Sequence, residues 1–122
     1  MRIFKNQWIK KFANKHGMSD SDLIAAVSRA EQGLIDADLG GGVIKQRIAR
    51  KGQGKRGGYR SIILLKKNDK AFFVYAFAKN ERDNIDDDEL AELKLSAQIM
   101  LNWTDEQINA QIQNHTLWEL EP

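Results

Sequence analysis

The sequence predicts an α+β fold, with an N-terminal helical hairpin packed on a small twisted, mainly antiparallel β-sheet and helices at the C-terminal end. Three observations predict it: two stretches of helical period before residue 35, three strand-like stretches joined by short loops between 43 and 78, and helical period again after 86. A length of 122 residues suits one domain, 1–122, and 42% hydrophobic against 30% charged residues excludes a disordered chain. No apolar run approaches the ~18 to 20 residues of a membrane span, and charge interrupts the start Met1-Arg2-Ile3-Phe4-Lys5, so neither a span nor a signal peptide is expected. The absence of cysteine removes disulfides, thiol catalysis and thiolate metal sites, and a cytoplasmic location is the expectation.

Residues 1–5 read as a short strand. Trp8, Ile9, Phe12 and Ala13 then recur at helical spacing until His16-Gly17, where the glycine suits a C-cap. Ser19-Asp20-Ser21-Asp22 offers capping oxygens and first-turn carboxylates to a second helix with the apolar stripe Leu23, Ala26, Val27, Ala30 and Leu34. The short Gly17-Met18-Ser19 connection makes the two helices antiparallel neighbours.

Asp36 to Gly42 has no period and much glycine, so a loop is expected there. From Val43 to Arg50 the chain alternates: Ile44, Gln46 and Ile48 point one way, Lys45, Arg47 and Ala49 the other. Tyr59–Leu65 and Ala71–Ala78 are the next strands, the last apolar on both faces as a central strand would be, with a turn at Asn68-Asp69. Short links favour an antiparallel meander over crossovers. Asp86-Asp87-Asp88-Glu89 opens a third helix with the stripe Leu90, Leu93, Ala97, Met100 and Leu101, and Thr104 to Gln107 has the spacing of a capping box for a short fourth helix. Leu117-Trp118-Glu119-Leu120 is a terminal strand or a docking segment.

The net charge of +2 hides a division. Residues 81–122 hold eleven Asp or Glu against Arg82 and Lys94, a net −9, so residues 1–80 carry +11. The sixteen residues Lys45 to Arg60 contain seven Lys or Arg, four glycines and no carboxylate, whereas a solvated face mixes both signs. This pattern points to a polyanion, with glycine letting backbone approach it. Gly52-Gln53-Gly54-Lys55-Arg56-Gly57 matches G-x-G-x-x-G, but a strand and not a helix follows it, so a dinucleotide site is rejected. His16 and His115 suit helix ends, and the carboxylates between Glu81 and Glu92 suit helix caps better than a calcium loop.

Lys45 and Arg47 project together from one strand, with Arg60 on the next and Lys79 at the end of the third. Cations converging on a scissile phosphate would stabilise the charge that develops when a ribose 2′-hydroxyl attacks it, and only RNA has that hydroxyl.

Lys51-Gly52-Gln53-Gly54-Lys55-Arg56-Gly57-Gly58-Tyr59-Arg60, with Phe77-Ala78-Lys79-Asn80-Glu81 and the helical hairpin before them, resembles the RelE/HigB superfamily of type II toxin–antitoxin toxins, in the branch with KGxGKRGGxR and KNE signatures. The resemblance covers residues 1–101, leaving 102–122 as a C-terminal extension. It implies a RelE/ParE-like fold and a ribosome-dependent mRNA endonuclease that works without a metal or cofactor on mRNA in the ribosomal A site. It also implies a cognate antitoxin of helix-turn-helix type. By position, Lys45, Arg47, Arg60 and Lys79 fall at the family's catalytic places. Arg50, Lys51, Lys55 and Arg56 then serve as RNA or ribosome contacts, with Tyr59, Asn80 and Arg82 beside them. The archetype's second arginine is here Asn80 and its late tyrosine is replaced by Ile85-Asp86, so the acid and base roles do not transfer. Two other functions fit the wider superfamily: a ParE-like inhibitor of DNA gyrase that acts by protein contact, and an inactive RNA-binding relative.

Overall fold

A computed structural model describes residues 1–50 and 54–121, with side chains for all of these except 49, 50 and 54–57. The chain runs β1 (Arg2–Asn6), α1 (Gln7–His16), α2 (Asp20–Glu31), β2 (Ala37–Gly40), β3 (Val43–Arg50), β4 (Gly54–Lys66), β5 (Lys70–Ala78), α3 (Asp87–Met100), α4 (Asp105–Gln113) and β6 (Leu117–Leu120). The strands form one sheet in the order β2-β3-β4-β5-β1-β6. β2 to β5 are the antiparallel meander that the short links predict. β1 joins it parallel to β5, and β6 pairs antiparallel with β1.

Local signals set the helix ends. Gly17 adopts φ +70° and its N–H donates to the Ala13 carbonyl, closing α1 in the left-handed conformation that glycine tolerates. Ser19 with Asp22, Asp86 with Glu89 and Thr104 with Gln107 each form a reciprocal capping box.

The sheet is buried on both faces, as the doubly apolar β5 requires. On one face α1 and α2 set Ile9, Ala13, Leu23 and Val27 against Ile44, Ile48, Ile63 and Phe73. On the other, α3 and α4 set Ala97 and Ile108 against Phe4, Val43, Ile62, Leu64 and Phe72. Residues after 101 therefore build part of this second layer and, through β6, one edge of the sheet.

The expected loop at Asp36–Gly42 is in part a strand. Ala37 pairs with Lys45 and Asp38 with Ile44, and the register then shifts before Gly40 meets Val43. Glycine made this stretch look structureless, yet Gly40, Gly41 and Gly42 all take positive φ and form the tight return into β3.

Candidate nucleic-acid interface

The alternation read from Val43 to Arg50 has a direct physical outcome. Ile44, Gln46 and Ile48 are buried under α1 and α2, so Lys45 and Arg47 face the other way, Lys45 half-buried and Arg47 exposed. Register then places cations from adjacent strands together. Arg47 lies opposite Arg60, Arg60 lies opposite Phe77, and Lys45 pairs with Ile62 one step along the same face. Lys79 is exposed just past the end of β5, where its N–H donates to the Gly58 carbonyl at 3.3 Å, two residues before Arg60.

Asp36 organises the centre of this row. Its Oδ1 lies 3.3 Å from Arg47 Nε and its Oδ2 3.3 Å from Arg60 Nε. The Arg60 side chain is only 5% exposed, so without Asp36 its charge would be buried uncompensated. Asp36 is itself held from behind, because its N–H donates to Gln46 Oε1 at 3.0 Å while Gln46 Nε2 donates to the carbonyls of Ala26 and Leu34. Arg29 Nη2 donates to the Arg47 carbonyl and ties α2 to the same point of β3. Neither Lys45 nor Lys79 has a side-chain hydrogen bond or ion pair among the described residues, and Arg47 uses only its Nε.

The remaining expected contacts are placed differently. Tyr59 neighbours Arg60 in a strand and so turns to the opposite face, where it is 2% exposed, packs edge-on to Phe12 and has its hydroxyl 3.1 Å from His16 Nδ1. Tyr59 thus braces α1 from the face opposite Arg60. Arg82 is engaged by Glu89 at 2.6 Å, by the Asn84 carbonyl and by the Tyr75 hydroxyl, with its guanidinium over the Phe77 ring. The Arg82 hydrogen bond, helped by the Asp86 N–H, lowers the Glu89 pKa to about 2, and Arg82 is raised in return. Arg82 thus clamps the segment after β5 to the start of α3. Asn80 is exposed. Lys51 lies outside the described residues, as do the side chains of Arg50, Lys55 and Arg56.

The sequence reading missed Asp36, which among the described residues is the one carboxylate that touches the candidate row. Its signal was available only through pairing, since Asp36 immediately precedes a strand that pairs with β3 and its carboxylate reaches Arg47 on that neighbour. Among the described residues no group of three or more His, Asp or Glu converges as a metal site would need, and no helix is long and apolar enough to cross a membrane.

The structure defines a three-layer α+β protein whose central sheet presents cations from neighbouring strands on one face. Its sequence matches the family described as the RelE toxin of the RelE/RelB toxin–antitoxin system over residues 1–120, beyond the 1–101 that carried the resemblance. The chain belongs to the RelE toxin family, the toxin side of a toxin–antitoxin system. Among curated proteins the sequence finds no match.

Proposed function

We propose that this toxin is a translation-inhibiting endoribonuclease that cleaves mRNA in the ribosomal A site, with Lys45, Arg47, Arg60 and Lys79 at the scissile phosphate and the Arg50–Arg56 run on surrounding RNA. The observation that carries the reading is the direct pairing of Arg47 with Arg60 between Lys45 and Lys79, two cations without a carboxylate partner among the described residues. Cations of one sign gathered on one sheet face favour an anionic ligand there.

In the reaction the ribose O2′ bonds to phosphorus as the P–O5′ bond breaks. The proton leaving O2′ and the proton reaching O5′ balance, and the products are a 2′,3′-cyclic phosphate and a 5′-hydroxyl. Charge builds on the non-bridging oxygens, and guanidinium and ammonium groups fixed in place stabilise it more than they stabilise the starting diester. Asp36 engages each guanidinium through Nε alone, which leaves the Arg47 Nη donors for a phosphate. The partners that follow are the ribosome with its mRNA and a cognate antitoxin, expected to be a helix-turn-helix protein, in the cytoplasm.

The test is growth arrest and message cleavage on induction of wild type, Arg60→Ala and Arg60→Lys. Because Arg60 is buried, thermal unfolding of each variant accompanies the assay. Loss of both activities in a folded Arg60→Ala protein is expected, and full cleavage by that variant would remove the assignment.

A further inference from the structure

Outside the cation row, one stripe of α1 is turned outward. Trp8, Lys11, Phe12 and Lys15 recur at offsets of 3, 4 and 7 and line an open groove of about 200 Å³. Trp8 is 42% exposed, unusual for an indole on a helix whose Ile9 and Ala13 are in the core. Its plane is nevertheless fixed, because the ring stacks on Phe12 with centroids 5.1 Å apart and 15° between planes, and packs 4.5 Å from Tyr75. Lys11 and Lys15 are exposed and have no partner among the described residues.

A rigid, partly exposed indole followed along the same helix stripe by two uncompensated cations suits a single-stranded polyanion with planar bases. The groove has room for one ring system and lacks the longer row of anchors that an amphipathic peptide helix needs. Its position fits as well. Tyr75 packs toward Phe77 with centroids 6.1 Å apart, and Phe77 is the cross-strand neighbour of Arg60. A groove that also borders Tyr75 is lined by Glu92 and by Glu89, whose charge Arg82 offsets, so Glu92 disfavours a polyanion on that side.

We infer that Trp8, with Lys11 and Lys15 on the same stripe of α1, is a stacking platform for one base of the RNA strand whose phosphate sits at the Arg47–Arg60 row. The inference rests on the ribonuclease reading for the identity of the strand, but it concerns binding and can fail alone.

The experiment measures fluorescence anisotropy of a labelled 2′-O-methyl hexanucleotide, which binds but lacks the attacking hydroxyl, titrated with the full chain. Trp8→Ala should weaken binding roughly tenfold and Trp8→Phe should retain most of it. Lys11→Gln with Lys15→Gln, both at exposed positions, should reduce the slope of log affinity against log salt by about 1.4. No binding by wild type, an unchanged affinity in Trp8→Ala, or an unchanged slope in the lysine variant would overturn the inference. An acidic, leucine-containing peptide titrated in parallel completes the test: peptide binding lost in Trp8→Ala while RNA affinity stays constant would assign the groove to a protein partner instead. Normal RNA affinity in Trp8→Ala together with cleavage that depends on Arg60 would leave the ribonuclease reading standing and sink this inference alone.

Discussion

Arg47 and Arg60 stand directly opposite one another on β3 and β4, and the two oxygens of the Asp36 carboxylate lie 3.3 Å from their respective Nε atoms. Two like charges on adjacent strands repel, and a pair directly opposite is destabilising unless an anion joins them. Asp36 is that anion in the free protein. It fixes the guanidiniums in the free protein, so an anion that met them there would find them already ordered.

Asp36→Asn leaves the Arg60 charge buried with a neutral partner. The expected loss of stability is about 2 kcal/mol, since the interaction is charge-assisted and largely shielded from water. Urea unfolding measures it, and a loss below about 0.5 kcal/mol would mean that Asp36 is not the countercharge, since surface changes fall in that range.

Gln46→Leu keeps a buried side chain of similar length but removes the acceptor for the Asp36 N–H and the donors to Ala26 and Leu34. With one buried and two part-buried hydrogen bonds lost, a destabilisation of about 1 to 3 kcal/mol is expected in the same measurement. Cleavage should fall further than stability alone explains, because the segment carrying Asp36 loses its anchor.

Helix ends and strand alternation were legible in the sequence because they are local: Ser19, Asp86 and Thr104 each carry their capping partner three residues later. The alternation of Lys45 and Arg47 against Ile44, Gln46 and Ile48 needed no more than a period of two. The same period could have placed Tyr59, which must point away from Arg60 beside it. What remained hidden depends on distant pairing. β1 finds β5 across two helices and three strands and β6 from the other end of the chain, β2 is a strand only because β3 lies next to it, and Asp36 becomes part of the site only through that pairing. Arg82 looked like a free cation because Glu89, its partner, was already explained as a helix cap.

Gly42→Ala tests the return that feeds β3. At Gly42 φ is +85°, and an added Cβ would come within 2.6 Å of the Leu101 side chain. The backbone conformation alone costs about 1 to 2 kcal/mol for an alanine. A drop in the thermal midpoint of several degrees is expected, and an unchanged midpoint would contradict the positive-φ turn.

The Arg82–Glu89 clamp has a signature in acid. The Glu89 pKa is lowered from 4.5 to about 2, so its contribution to folding is fully present above pH 4.5 and is lost as pH falls toward 2. Glu89→Gln, which can still cap α3, should flatten the decline in thermal midpoint over that window. An equally steep decline in the variant would show that Glu89 is not held by Arg82. Because the pair is only half-buried, high salt should also shrink the difference.

The most direct test is mapping of transcript 5′ ends in a bacterial host pulsed with wild type, Arg47→Ala and Arg60→Ala. Wild type should create new 5′-hydroxyl ends within translated messages, Arg47→Ala should reduce them by about a hundredfold, and Arg60→Ala should leave none. Intact messages accompanied by broken DNA in cells pulsed with wild type would contradict ribonuclease action and point to a gyrase poison.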